Sequence, residues 1–173
     1  LPTVHLRNDN MAIAKTLINY LEKRGVAYDL VEHEHTATAQ ASAHAAHIPA
    51  HQVAKAVVLK DDAGFVLSVL PASHSLEIDW VNTELKRNLS LACEDEFKKL
   101  FEDCEPGAVP AIGDAYGMQV IWDDDLQYTA DIYIEAGDHE HLIWLDRKSF
   151  KKLMKSLPHT IISSDSEVGG WKF

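Results

Sequence analysis

The order of predicted elements indicates a mixed α/β fold in a single domain. About seven strand-like apolar runs occur in irregular order with four or five short segments of helical period. The regular strand–helix–strand alternation of a doubly wound parallel sheet is absent. The 173 residues, 46% of them hydrophobic, suffice for one sizeable core but not for two ordinary domains joined by a linker. We therefore expect one mixed sheet flanked by short helices.

A hairpin is the clearest pair of elements. Residues 53–60 and 65–70 are apolar runs rich in Val and Leu, and the turn between them is acidic and ends in Gly64. Pro71 ends the second of these strands. Further strands are predicted at 28–34, 89–92, 118–122, 129–135 and 141–145.

Short helices are predicted between the strands. In the first of them apolar residues recur at three- and four-residue steps, and Gly25 follows as a stop. Thr36 or Thr38, Asp79 and Asp146 are the predicted N-caps of three others. The five helices are expected at 11–24, 36–47, 79–87, 94–101 and 146–155.

The folded domain is predicted to span residues 11–155, followed by a polar C-terminal tail at 156–173. No apolar run approaches the ~20 residues needed to span a bilayer, and no signal-peptide core is visible. Cys93 and Cys104 lack the spacing of metal ligands and are expected to be reduced thiols. We therefore expect a cytoplasmic protein with no membrane partner and no cofactor.

Net charge restricts the partners of the chain. At −11 the protein repels phosphate backbones, which argues against sequence-independent binding to long nucleic acid. However, four lysines share one face at helical spacing: Lys148, Lys151, Lys152 and Lys155. That face is either a solvated helix flank or a local contact to a polyanion such as the acceptor end of a tRNA.

Lys55 interrupts an apolar strand, where a charge requires a specific reason. Because side chains alternate along a strand, Lys55 shares its face with Val53, Val57 and Leu59. On an interior face its ammonium would border an apolar cavity and could bind an anion or a carbonyl oxygen, with a pKa lowered by desolvation. The alternative is a lysine near the strand end that extends into water.

A loop with two glycines and a proline is the second candidate site. Such a loop holds backbone N–H groups away from a strand ladder, so that they can form an oxyanion hole or bind ribose or phosphate oxygens. It also fits an ordinary helix-to-strand connection, and its spacing matches neither phosphate-loop nor dinucleotide patterns. Its residues are Gly107, Ala108, Val109, Pro110, Ala111, Ile112 and Gly113.

Histidines supply the remaining candidates. His139 lies between two predicted strands, where it could orient substrate or water or relay a proton, with Asp138 setting its tautomer; a solvated turn histidine fits equally well. His44 and His47 could share a helix face as metal ligands, but the sequence shows no acidic or cysteine partner for them, so no metal site is predicted. The other histidines of this dense group are His33, His35 and His51.

No serine or cysteine has the sequence surroundings of a nucleophile. Ser68, Ser73 and Ser75 lack the flanking glycines of a nucleophile elbow, and neither cysteine lies in a catalytic motif. A hydrolase with this sequence would therefore activate water rather than form a covalent intermediate.

Four segments follow one another in the order of a known family: 53–60, 70–74, 101–110 and 136–139. They contain the hairpin lysine, a Leu-Pro-Ala-Ser-His run, the approach to Gly-Ala-Val-Pro, and Ala-Gly-Asp-His. With them the chain resembles the YbaK / prolyl-tRNA-synthetase-associated domain family, the free-standing relatives of the editing insertion in bacterial prolyl-tRNA synthetase. The resemblance covers about residues 11–154 and implies a curved, barrel-like mixed sheet.

The resemblance also implies an activity: hydrolysis of the ester in mischarged aminoacyl-tRNA, typically alanine or cysteine on the tRNA for proline. Lys55 then corresponds to the family lysine near the scissile ester, and His139 to a histidine beside the amino-acid pocket. The loop residues Gly107, Ala108, Val109, Pro110 and Gly113 would hold the terminal ribose and carbonyl. The implied partners are the acceptor end of a mischarged tRNA and, as a second candidate, an aminoacyl-tRNA synthetase.

Two positions depart from the family pattern and leave the amino acid open. Relatives often have two prolines in the loop where this chain has Pro110 and Ala111, and some alanine-specific relatives carry a polar residue in place of Ala56. The alternative hypothesis is a non-catalytic module that binds a nucleotide or an aminoacyl-adenylate analogue in the same pocket. A histidine-dependent metalloprotein is a weaker one.

Overall fold

An eight-stranded mixed sheet is the frame of the domain. The computed structural model describes residues 13–166. Its strands are β1 (Asp29–Glu32), β2 (Val53–Asp61), β3 (Gly64–Pro71), β4 (His74–Leu76), β5 (Ser90–Leu91), β6 (Gln119–Asp123), β7 (Asp131–Glu135), β8 (His141–Asp146), β9 (His159–Thr160) and β10 (Ser163–Asp165). Its α-helices are α1 (Lys15–Lys23), α2 (Ala39–Ala45), α3 (Ile78–Leu85), α4 (Glu94–Phe97) and α5 (Arg147–Met154).

The strands follow the order β1-β8-β7-β2-β3-β6-β9, and β5 pairs separately with β2. The pairs β2·β7, β3·β6 and β6·β9 are parallel, whereas the remaining pairs are antiparallel. A second, two-stranded sheet joins β4 to β10. The predicted mixed α/β class and all seven predicted strands are confirmed; the sheet is curved but not closed into a barrel.

One edge of β2 is shared by two strands, and this division positions the site. β7 pairs with β2 only at Val53 and Ala54, and β5 pairs with it only at Leu59 and Lys60. The other edge of β2 pairs with β3 along most of its length. Within the described part of the chain, residues 55–57 therefore have no neighbouring strand on the first edge, and a gap opens in the sheet beside Lys55.

The main core lies between the sheet and helices α1 and α5. Leu17 and Leu21 of α1 are completely buried, as is Phe150 of α5 apart from 2% of its surface. Burial of each such side chain contributes roughly 1.5–3 kcal/mol. The Trp122 indole N–H donates to Met154 O at 3.0 Å and ties β6 to the end of α5.

The helix ends agree with the predicted caps in all but one case. The Thr38 hydroxyl accepts from the N–H of Ala41, the Asp146 carboxylate accepts from that of Ser149, and Gly25 adopts φ +68° after α1. Asp79 is not an N-cap, because α3 begins at Ile78 and Glu77 is its N-cap residue. Asp79 instead lies in the first turn, where a carboxylate interacts favourably with the helix dipole.

Part of the predicted polar tail belongs to the folded domain. β9 pairs with β6, and β10 pairs with β4, so residues 159–165 extend the two sheets. These strands have only two or three residues each, too few for a periodic pattern in the sequence. Residues 11, 12 and 167–173 of the predicted domain and tail lie outside the described residues.

Lysines along α5 form an exposed face, as their spacing predicts: Lys148, Lys151, Lys152 and Lys155 are all exposed. None of the helices within residues 13–166 combines the length and the apolar character needed to cross a bilayer.

Candidate active site

A partly enclosed cavity of about 120 Å³ lies beside the gap at the edge of β2. Its walls come from β2, α2, the loop that contains Gly107, and the end of β7 with the turn that follows. An apolar cavity of about 150 Å³ holds benzene, so this volume suits a group of a few non-hydrogen atoms. The lining residues are Ala37, Thr38, Ala39, Ser42, Val53, Ala54, Lys55, Ala56, Gly107, Val109, Glu135, His139 and Leu142.

Lys55 lies at the cavity with its ammonium held in a defined position. Its Nζ donates to the main-chain oxygen of His74 at 2.7 Å, and burial lowers the pKa of the lysine. Among residues 13–166, no carboxylate forms an ion pair with it. An ammonium has three N–H donors, so two remain for the oxygens of a ligand.

The glycine–proline loop reaches the cavity with its first residues. Gly107 adopts φ +81°, a conformation that favours glycine, and both Gly107 and Val109 line the cavity. The N–H of Ala108 donates to Glu105 O at 2.9 Å, whereas those of Gly107 and Val109 find no acceptor within the described chain. Two residues of this wall therefore carry backbone N–H groups that have no partner within residues 13–166.

The rest of the loop is packed away from the cavity. Ala108 and Pro110 are buried and do not line it. Gly113 packs tightly against the core, since a Cβ at this position would lie 2.7 Å from Val120 and 2.9 Å from Leu67. Of the seven predicted site residues, four thus meet at one cavity, and the catalytic and binding roles of all seven stay predictions.

His139 closes the cavity from the turn after β7. Its Nε2 lies 2.7 Å from the oxygen of Pro106, which can only accept, so Nε2 carries the proton and a neutral ring keeps a lone pair on Nδ1. The ring also lies against Gly107, where a Cβ would be 3.6 Å from Cε1 of His139. His139 therefore supports the glycine loop as well as lining the pocket.

Asp138 does not set the tautomer of His139, contrary to the expectation from their adjacency. With φ +62° at His139, the two side chains diverge, and the buried Asp138 carboxylate instead binds His141 Nδ1 at 2.6 Å. Burial opposes ionisation of Asp138, but the hydrogen bonds from His141 and the backbone outweigh it and lower its pKa. The same bond to Asp138 raises the pKa of His141.

Glu135 is a cavity residue that the sequence did not single out. Its Oε2 accepts from the N–H groups of Gly137 at 2.9 Å, Asp138 at 3.2 Å and His139 at 3.0 Å. These three hydrogen bonds, which converge on one oxygen, fix the conformation of the turn that carries His139. The sequence signal for this role of Glu135 is weak, because an acidic residue at a strand end, two positions before a glycine, also occurs in many turns that face solvent.

Hydroxyl groups from α2 line the opposite wall but are already engaged. The Ser42 hydroxyl lies 2.6 Å from that of Thr36, and the Thr38 hydroxyl caps α2. Cys104 does not line the cavity, and burial raises the pKa of its thiol to about 12. Among the described residues, the hydroxyl groups that line the cavity thus have no adjacent base that would activate them.

A group of possible metal ligands lies outside the cavity wall. His35, Glu105 and Glu140 are exposed and place one ligand atom each within 4.8 Å of the others. The sequence did not pair His35 with these acidic residues, because they lie about 70 and 105 positions away. The predicted shared face of His44 and His47 is wrong, since α2 ends at Ala45 and His47 adopts φ +59° beyond it.

The fold and the cavity together define a small α/β domain in which a lysine ammonium and two unpartnered backbone N–H groups belong to residues of one cavity. Comparisons with known proteins assign the family. The sequence model of the aminoacyl-tRNA editing domain matches residues 33–153, well over half of the chain. The chain therefore belongs to the aminoacyl-tRNA editing domain family, which confirms the resemblance seen in its sequence.

Solved structures share the fold at low sequence identity. A protein provisionally described as a trans-editing enzyme for prolyl-tRNA synthetase has a TM-score of 0.76 at 22% identity, over 87% of this chain and 96% of that one. A protein from Marinobacter aquaeolei VT8, provisionally described as a signal transduction protein, has a TM-score of 0.73 at 14% identity. The match covers 88% of this chain but only 31% of the Marinobacter protein. A search of curated protein sequences gave no match.

Proposed function

We propose that the protein is an aminoacyl-tRNA deacylase that hydrolyses the ester of a mischarged tRNA, with alanine or cysteine on the tRNA for proline as the first candidates. The observation that carries the proposal is the meeting of Lys55 with the free N–H groups of Gly107 and Val109 at one small cavity. Membership of the editing-domain family supports the same reaction class.

In this mechanism the cavity holds the amino acid, and the donors face its ester oxygens. A water molecule adds to the carbonyl carbon, and negative charge develops on the carbonyl oxygen. Lys55 and the loop N–H groups stabilise that charge, as preorganised donors do in other acyl transfers. The bond to the ribose oxygen then breaks, a proton of the attacking water passes to that oxygen, and the ribose hydroxyl and the free amino acid leave.

A nucleophilic side chain is not required for this ester. Aminoacyl esters are activated, so holding the carbonyl beside an attacking water supplies much of the rate. The limited volume of the cavity supports selection of a small amino acid, the kind that a synthetase cannot exclude through binding alone. His139, whose Nδ1 is free in the neutral ring, is the proposed group that orients the water.

The test is a deacylation panel with Ala-tRNA, Cys-tRNA and Ser-tRNA. We expect at least one ester to be hydrolysed faster than in buffer, and Lys55→Ala to reduce kcat by about 10²–10³, the usual cost of removing one oxyanion donor. Lys60→Ala is the matched control, because Lys60 lies on the same strand but outside the cavity, with its side chain partly exposed and paired with Glu96.

Two outcomes would contradict the proposal, the first against the deacylase itself and the second against the role of Lys55. One is the absence of accelerated hydrolysis for every ester of the panel, and the other is an unchanged rate in Lys55→Ala. Binding of an aminoacyl-adenylate analogue without hydrolysis would favour the non-catalytic module instead. Adding a synthetase to the same assay tests whether it is a partner, and full activity in excess chelator would exclude a required metal.

A further inference from the structure

The cavity contains one carboxylate that the proposed reaction does not use. Glu135 is the only acidic residue among the described residues that line it, and Lys55 is the only lysine or arginine there. The remaining wall is largely apolar, with alanines, valines and a leucine. Glu135 is half-buried at this wall, where hydrogen-bond donors stabilise its charge.

Glu135 and Lys55 do not neutralise each other. No ion pair joins them, although a separation of 4.0 Å or less between their charged atoms would make one. Lys55 is held instead by the oxygen of His74, and Glu135 by three backbone N–H groups of the turn that follows it. The cavity therefore presents a fixed positive and a fixed negative group, each available to a ligand.

The two oxygens of Glu135 have different surroundings. All three backbone N–H groups donate to Oε2, and within the described residues Oε1 receives no hydrogen bond. The bonds to Oε2 fix the plane of the carboxyl group and so preorganise Oε1. One oxygen therefore holds the turn, and the other remains as an acceptor.

An aminoacyl ester has a complementary pair of groups. Its α-ammonium lies two bonds from the carbonyl carbon, so a site that binds the carbonyl oxygen through Lys55 and the loop has the ammonium close by. We propose that Oε1 of Glu135 binds the α-ammonium of the substrate, an inference that rests on the deacylase function proposed above. A charge-assisted hydrogen bond of this kind is about twice as strong as one between neutral groups.

This assignment gives the site a specificity that cavity size alone does not provide. Esters of free α-amino acids offer Oε1 of Glu135 a charged donor, whereas esters of the same size with a hydroxyl in place of the ammonium offer it only a neutral one. Sites built to bind a polar group reject analogues that lack it far more strongly than they reject a change of one methylene. The enzyme should therefore recognise the amino group as well as the small side chain.

The experiment compares esters that differ only at the α-substituent. Alanyl-tRNA and seryl-tRNA are tested against lactyl-tRNA and glyceryl-tRNA, in which a hydroxyl of similar size replaces the ammonium. Each rate is divided by the uncatalysed rate of the same ester, because the ammonium itself activates the carbonyl. For the unmodified protein we expect kcat/KM to favour the amino ester of a substrate pair by roughly 10- to 100-fold after this correction.

Glu135→Gln is the matching variant. Its amide oxygen can still accept from the N–H groups of the turn, while an NH₂ group replaces Oε1 and repels the ammonium. In Glu135→Gln we expect the corrected kcat/KM to fall for the amino ester and to change little for the hydroxy ester, so that the preference is lost. Glu140→Gln is the control, since Glu140 is exposed and does not line the cavity.

The outcomes separate this inference from the proposed function. Equal corrected rates for the amino and hydroxy esters of a hydrolysed pair would overturn the role of Glu135 and leave the deacylase intact. A preference that persists in Glu135→Gln would also overturn it. Failure to hydrolyse any of the four esters would refute the deacylase itself for these substrates and with it this inference. The comparison on the unmodified protein decides the question even where the variant does not fold.

Discussion

Gly113 provides a direct test of whether the end of the glycine–proline loop acts through packing or through substrate. An added Cβ would lie 2.7 Å from Cγ2 of Val120 and 2.9 Å from Cδ2 of Leu67. Both neighbours are buried side chains on paired strands, where Leu67 is opposite Val120 in the parallel β3·β6 ladder. Neither can retreat into solvent, so Gly113→Ala forces a shift in the core.

The expected loss of stability follows from these contacts. Overpacking a core typically costs about 1–3 kcal/mol, and replacing Gly by Ala returns about 0.4–1 kcal/mol through the unfolded chain. Two contacts below 3.0 Å favour the upper part of the first range. We expect the free energy of unfolding to fall by about 1–2 kcal/mol, which lowers Tm by about 2–8 °C for a chain of this length.

The assay is a double-mutant cycle read by urea denaturation. Val120→Ala removes the closest contact, so Gly113→Ala combined with Val120→Ala should be less destabilised than the sum of the single variants by at least about 0.5 kcal/mol. Gly117→Ala is the control: at φ +69° it is strained by roughly 1–2 kcal/mol but touches nothing within 4 Å, so its cost should simply add to that of Val120→Ala.

Two results would refute the packing account of Gly113. The first is a Tm for Gly113→Ala equal to that of the unmodified protein, and the second is strict additivity with Val120→Ala. The deacylation rate per folded molecule then distinguishes a packing role of Gly113 from direct contact with substrate. A packing role leaves this rate unchanged in Gly113→Ala, whereas contact with substrate, the role predicted from sequence, reduces it.

Two further predictions concern buried polar pairs. The raised pKa of His141 stabilises the fold fully below its unfolded value near 6.5, and this part is lost as pH rises through the raised pKa. The lowered pKa of Asp138 stabilises the fold above about pH 3.9, and this contribution is lost as pH falls through the lowered pKa. Tm measured by calorimetry should therefore be highest between about pH 3.9 and 6.5, and His141→Gln should flatten this dependence of Tm on pH. Ser163→Ala should lower the free energy of unfolding by about 1–3 kcal/mol in urea, because the buried carboxylate of Asp123 loses a hydroxyl donor at 2.6 Å; Ser164→Ala, at a half-buried position, should cost less.

The sequence predicted the elements of the sheet better than the contacts within the site. Strand periodicity placed Lys55 on a definite face of β2 but left open whether that face was interior. The answer depends on His74, whose oxygen holds the ammonium and which begins a strand of only three residues. Such a strand has too few positions to show alternation, so its partner β10 was missed with it.

Asp138 and His139 are adjacent in sequence but not in the site, because His139 lies in the left-handed region and turns the chain sharply. The turn sends His139 toward Pro106 and leaves Asp138 with His141. Glu135 was missed for a related reason. Its function depends on three backbone N–H groups that converge only after the turn has folded. Side-chain chemistry is visible in a sequence, whereas the directions of backbone N–H groups in an irregular turn are not.

The register of β2 connects the remote end of the hairpin to the site. A slip of one residue would move Lys55 to the opposite face of the strand and remove its ammonium from the cavity. In the observed register Lys55 is opposite Leu70, which excludes that slip. The turn at the far end of the hairpin stabilises the same register. There Arg87 donates two bonds of 2.6 Å to the carboxylate of Asp61 and a third to Gly64 O, and the hydrogen bond from Arg87 lowers the pKa of Asp61. The bidentate Arg87–Asp61 pair at the turn thus fixes the strand register, and with it the face of β2 to which each side chain points. Lys55, some six residues away along the strand, is thereby placed beside the gap between β5 and β7.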